Sequence, residues 1–448
     1  MTEPFNRERS LPSYLILFGL VLIILTFSFG IIGALQYVFP GLLRQSLSFE
    51  YTRPLHVSSA VFWIIMCASG AVLTYMQEYS KKGLYSIKLL KWQVFLFIGT
   101  VCLILISYLM GIFGGREYWE FHPVLGIPLA LGWTFFLINI LASIRTLHRQ
   151  PVFIWMWATG VIFFLFTYGE SYLWLFPSIR ENVVKDMLIQ WKSYGSMVGS
   201  WNMLIYGCSI YLMDKISGTD TYSRSKIAFA LYFLGLFNLM FNWGHHIYTL
   251  PGPKYVQYIS YAVSMTELIL LGRIILLWKS SLSTARKHYN ILPFRFLWAA
   301  DIWILLTLLL AIGMSIPAIN IYTHGTHITV AHTMGATIGI NSFLLLAFAF
   351  DIFNKQEERQ MKTVTVGFYL TLISLFIFWV SLIIAGVLKA RWQMSTDQLP
   401  FSVMMAGLRP WFVVFLISGI SLSTGLFLIV LPLLRYSSRN IKSATVGN

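Results

Sequence analysis

Charge is what this chain has least of. Asp, Glu, Lys and Arg make up only 11% of its 448 residues, against 57% hydrophobic and 17% aromatic, and the mean hydropathy is +0.71. A water-soluble domain has no use for so much apolar surface, so the composition excludes one and gives a polytopic membrane protein. Cysteine is scarce as well. Cys67, Cys102 and Cys208 all fall in apolar stretches and none forms CxxC, CxxCH or a zinc spacing, which excludes a disulfide framework and a covalently attached c-type haem. Linkers rich in Pro, Gly and Ser, soluble insertions and short internal repeats are also missing. Residues 1–448 therefore read as one domain with short tails at 1–12 and 436–448.

What the chain does have is a series of apolar runs, each near the roughly 20 residues needed to cross hydrocarbon. Twelve recur, at 13–38, 55–77, 88–113, 123–146, 152–172, 187–213, 226–249, 256–280, 296–318, 326–351, 364–388 and 409–435. Lipid offers no hydrogen-bond partners and an open sheet leaves backbone groups unpaired, so the expected fold is an all-α bundle of twelve transmembrane helices. The first run is too long for a removable signal peptide and lacks a small-residue cleavage site, so it is expected to stay as a helix.

The net charge of +15 reports topology. With loops assigned alternately from an inside N-terminus, 21 of the 32 Lys and Arg fall on the N-terminal side, among them Lys81, Lys82, Lys88, Lys91, Arg286, Lys287, Arg435 and Arg439. About 10 fall on the other side, and Arg273 sits within a span. This is the positive-inside pattern, so both termini are expected in the cytoplasm and nucleic acid is not a partner. On the inner side Asp301, Asp351 and Glu357 stand at or near span ends without forming a ladder, which argues against a proton pump.

With that topology the nine histidines segregate. His56, His122, His245, His246, His324, His327 and His332 lie in or near the outer third, while His148 and His288 fall in basic inner loops. A lone histidine at a helix end, such as His122, is ordinarily an interfacial hydrogen-bonding residue. The tandem pair in NWGHHIYTLP is different: two imidazoles at membrane depth with no acidic partner nearby suit iron, copper or zinc. The stretch Tyr322–Asn341, YTHGTHITVAHTMGATIGIN, adds His332 and Met334, roughly 200° apart on a helix, so that each can face a different flat cofactor.

At these residues the chain resembles the large, catalytic subunit of bacterial cytochrome c-type nitric oxide reductase, in the haem-copper oxidase superfamily. The segments that agree in order are RPLHVSSAVFW around His56, GREYWEFHP around Glu117, WNMLIYGCSIYLMDKISGTD, GHH at 244–246, Glu267, THGTHITVAH and AGVL at 385–388. The resemblance implies that His332 is the proximal ligand of a high-spin haem b3 and that His56 is one axial ligand of a low-spin haem b. It makes His245 and His246 ligands of a non-haem iron, and it puts Glu267 near that site in a supporting or proton-delivering role. Glu117, together with Glu120, matches a carboxylate that holds a calcium ion bridging haem propionates, and oxygen ligands suit calcium. Arg409, in GLRPWF, matches a basic residue that is either a propionate partner or a headgroup contact.

Three departures from the family pattern stand out. Met334 occupies the place of the second histidine of an HxH pair, which makes the low-spin haem His/Met ligated and raises its potential; the alternative is that His327 takes that position while Met334 packs. Tyr194 aligns with a third histidine ligand and either ligates through its phenolate, donates a hydrogen bond beside the metal, or packs. Val198 and Asn202 replace two glutamates, which makes the site less hard, so copper competes with iron and the outer proton route is in question.

The resemblance implies reduction of two NO to nitrous oxide and water with two electrons and two protons, in the inner membrane of a bacterium. The electrons are expected from a membrane-anchored cytochrome c-type subunit, with a quinol as the other donor. Variant chemistry on the same scaffold is O2 reduction with copper beside Tyr194, or NO disproportionation. A haem-based NO sensor or assembly subunit keeps the haems without turnover. A secondary transporter accounts for twelve spans and leaves the outer histidines without a role.

Overall fold

The computed structural model describes residues 10–81, 83–265, 291–353, 358–396 and 398–446. Among them there are helices and turns, with one isolated bridge between Arg116 and Trp119. The first five helices are α1 (Leu11–Val38), α2 (Phe49–Ser80), α3 (Ile87–Leu109), α4 (Gly126–Ile144) and α5 (Val152–Glu170). They are followed by α6 (Val183–Ser217), α7 (Lys226–Phe241), which runs into a tight 3₁₀ segment at Asn242–Ile247, and α8, described over 254–265. The rest are α9 (Ile291–Ser315), a short α10 (Pro317–Thr323), α11 (His327–Met334), α12 (Phe343–Phe353), α13 (Glu358–Met394) and α14 (Phe401–Val446).

Ten helices among the described residues are long and apolar enough to cross a membrane, so the chain is a multi-pass membrane protein. Of the twelve expected spans, the sixth is the 35-residue α6, which is not among those ten. Lys185, Asp186 and Lys192 near its start and Asp214 and Lys215 near its end dilute its hydropathy. The eighth, at 256–280, lies largely outside the described residues.

Helix α2 is the centre of the bundle, with 78% of its most apolar window buried. Between α11 and α12 the chain adopts a π-helix over Gly335–Ser342. Ser342 Oγ donates to the Thr337 carbonyl at 2.8 Å and accepts from Trp63 Nε1 of α2 at 3.0 Å. Gly335 and Gly339 are small for a steric reason. A Cβ would stand 2.5 Å from Thr307 Oγ1 at the first and 2.5 Å from the Trp303 ring at the second, so their small size lets α9 approach closely.

At one end of the bundle Lys215 of α6 ties α2 to α12, through Asp351 at 2.8 Å and Glu78 at 3.2 Å. Tyr75 donates to the Asp351 carboxylate and Tyr211 to Glu78. Charges this close to hydrocarbon are tolerated because each is paired.

Candidate functional site

A cavity of about 440 Å³ opens between α1, α2, α6, the 3₁₀ segment after α7, α9, α11 with its π-helix, and α14. Six of the histidine, methionine and tyrosine positions singled out in the sequence line it together: His56, Tyr194, His245, His246, His332 and Met334. Among the described lining residues there is no Asp, Glu, Lys or Arg; the polar groups are neutral, among them Thr26, Asn202, Asn242, Ser264 and Thr307. Val198 and Asn202, where the resemblance leads one to expect glutamates, are both on its wall.

His56 projects from the second turn of α2 and is anchored to α1. Its Nδ1 lies 2.7 Å from the Thr26 carbonyl, and a carbonyl can only accept, so Nδ1 carries the proton and Nε2 keeps its lone pair. A backbone acceptor behind a ring in this way is how ligating imidazoles are oriented. Gly30 leaves room for the ring, because a Cβ there would come within 3.0 Å of it.

The 3₁₀ turn brings His245 and His246 side by side, with ring centroids 4.2 Å apart. His245 is 7% exposed. The His246 ring lies nearly parallel to Trp191 of α6, at 4.8 Å and 10°, and its Nδ1 is buried with no hydrogen-bond partner. Imidazoles lining a cavity whose described polar groups are neutral fit haem iron and a second metal well. Among the described residues no three His, Cys, Asp or Glu side chains converge on one point, so none of these residues adds a third donor of those types to the pair.

Other sites fall differently. The ring contact of Tyr194 is with Tyr118, edge-on at 5.5 Å; the α6 residue that touches the pair is Trp191. His327 does not line the cavity and packs against Phe412 and Tyr37. Arg409 is exposed on α14 and is also off the lining. Glu267 lies outside the described residues. Glu117 and Glu120 are both paired with the Arg53 guanidinium, Glu120 at 3.0 Å, one turn before His56. Burial lifts the Glu120 carboxyl above its ordinary pKa, against the pull of Arg53. His122 is exposed and caps the turn at Pro123–Leu125, its Nδ1 accepting from the Val124 amide.

Three residues were not legible in advance: Trp191, Thr26 and Asn242. A tryptophan in a membrane bundle is ordinarily packing, and a threonine carbonyl carries no sequence signal. The asparagine three residues before His245 has meaning only once the turn is folded.

Residues 12–421 match the family described as cytochrome c and quinol oxidase polypeptide I. A nitric oxide reductase subunit of Stutzerimonas stutzeri is 24% identical over 86% of this chain and 85% of that protein. Cytochrome c oxidase subunit 1 of Rhodobacter capsulatus is 22% identical over 85% and 77%. In three dimensions the chain superposes on a heme-copper terminal oxidase, solved as a dimer by cryo-EM, with a TM-score of 0.75, covering 96% of this chain and 84% of that one at 13% identity. A match this long, over a bundle whose histidines meet at one cavity, shows that the chain belongs to the cytochrome c and quinol oxidase polypeptide I family and is an oxidoreductase of the haem-copper superfamily.

Proposed function

We propose that this protein reduces nitric oxide to nitrous oxide, taking electrons from a membrane-anchored cytochrome c-type partner. The observation that carries the reading is the His245–His246 pair on the same cavity as His332. The likeness to the nitric oxide reductase of Stutzerimonas stutzeri across most of both chains supports it. When bound, a high-spin haem and a non-haem metal supply the redox chemistry of joining two NO. The chain's part is to hold those groups, keep the pocket dry and bring the reactants together, which turns a bimolecular coupling into an effectively intramolecular one.

In this reading His332 holds haem b3, His56 and Met334 hold the low-spin haem b, and His245 and His246 hold the non-haem metal. Tyr194, packed on Tyr118, serves as a hydroxyl donor on the cavity wall rather than as a ligand. Glu267, outside the described residues, is in this reading the supporting or proton-delivering carboxylate. Arg409, exposed on α14, is the headgroup contact. The positive-inside count puts both termini in the cytoplasm and the histidine end outward, in a bacterial inner membrane.

Oxygen reduction with copper is the second reading. It is favoured by the wholly neutral set of described donors around the pair and by the oxidase relatives. Turnover of the purified complex with NO or O2 as sole acceptor, alongside metal analysis, separates the two. Iron with NO turnover supports the first reading, and copper with O2 turnover alone overturns it.

Two further outcomes follow from the packing. Gly30→Ala drives a methyl group against His56 and displaces it from Thr26, so the low-spin haem band should broaden and weaken in the reduced-minus-oxidised spectrum while the high-spin band is kept. At Glu117 and Glu120 the Arg53 guanidinium already supplies the counter-charge, so the reading replaces the expected calcium ion with Arg53. Incubation with a calcium chelator should leave the haem spectrum and turnover unchanged. A calcium-dependent spectrum would restore the metal to this site.

A further inference from the structure

The 3₁₀ turn that carries the two histidines is held from two neighbouring elements. Ser260 of α8 donates to the Asn242 carbonyl at 3.1 Å, and Asn320 of α10 donates through Nδ2 to the His245 carbonyl at 3.0 Å. The Asn242 side chain does something more specific. Its Oδ1 lies 3.2 Å from His245 Nδ1 and 2.5 Å from Ser264 Oγ, with Ser264 only 6% exposed. An amide oxygen can only accept, so it takes both hydrogens, one from the ring and one from the hydroxyl.

We infer that Asn242, braced by Ser264, is the positioning residue that fixes which nitrogen of His245 binds the metal. An oxygen acceptor at Nδ1 keeps the ring proton there and leaves Nε2 bare for a cation. With the amide turned the other way its NH2 would face Nδ1, the proton would move to Nε2, and the ring could not ligate through it. His246 is held by a different means, stacked on Trp191 with its Nδ1 unpaired. The two adjacent imidazoles are thus oriented independently, one by a hydrogen bond and one by a ring face. This inference rests on reading His245 as a metal ligand.

The test uses the purified complex and reads non-haem metal per haem across a chelator series, in the unaltered protein and in Asn242→Leu, Asn242→Asp and Ser264→Ala. Loss of the acceptor in Asn242→Leu should weaken metal retention about 10- to 100-fold, the usual cost of removing a ligand's hydrogen-bond partner, with both haems kept. Asn242→Asp, which can only accept at that position, should hold its metal, and Ser264→Ala should show a smaller loss than Asn242→Leu. Metal held equally well by Asn242→Leu overturns the inference and leaves the metal site standing, and loss from Asn242→Asp as severe as from Asn242→Leu overturns it too. Should Asn242→Leu not assemble, Ser264→Ala decides, and an unchanged chelator midpoint there is the overturning result. Unaltered protein that holds haem and no second metal overturns this inference together with the metal site it rests on.

Discussion

Replacing His245 or His246 by alanine should abolish the non-haem metal and cut NO turnover by at least ~10²-fold, the scale on which misplacing reactants by about 1 Å is costly. The cavity explains why the loss should be so steep. Its described polar groups are neutral amides, hydroxyls, indoles and imidazoles. No third His, Cys, Asp or Glu converges with the pair among the described residues. Losing one imidazole therefore leaves a single strong donor among the described residues. Haem content should be preserved, because His56 and His332 are carried by α2 and α11 and not by the 3₁₀ turn. Metal analysis beside a turnover assay checks this, and a variant that loses neither metal nor turnover contradicts the assignment of the pair.

Met334→His should lower the midpoint potential of the low-spin haem by on the order of 100 mV, a modest part of the roughly 0.8 V that axial ligation spans. A thioether stabilises the reduced iron relative to imidazole, so the direction is fixed by ligand chemistry. The haem should stay six-coordinate, since imidazole replaces one axial donor with another. The structure favours Met334 over His327 for this role. Met334 is on the cavity wall, whereas His327 is turned toward Tyr37 and Phe412. A redox titration in which the variant and the parent coincide would show that Met334 is not bound.

Much of this site was legible in the sequence because imidazoles at membrane depth have few structural uses. His56, His245, His246 and His332 stood out against apolar surroundings, and all four line the cavity. What stayed hidden depends on contacts between distant segments. Arg53 meets Glu117 and Glu120 across more than 60 residues, and no spacing rule would have paired them. The π-helix at Gly335–Ser342 has no sequence signature; it follows from the packing of Gly335 and Gly339 against α9 and from the bond between Trp63 and Ser342. Helix α6 was visible as a long apolar run, although its polar ends keep it out of the ten helices apolar enough to cross a membrane. Which of its residues touches the pair depended on helix rotation, and the answer is Trp191.

The account depends most on two porphyrins and a further metal sharing the histidine-lined cavity. Optical and magnetic spectra of the intact purified protein, oxidised and reduced, with and without NO, test that most directly. They should show two b-type haems per chain, one six-coordinate and low-spin and one high-spin that takes up NO, with a non-haem metal coupled to the second. A colourless, iron-free preparation of the folded protein would contradict it.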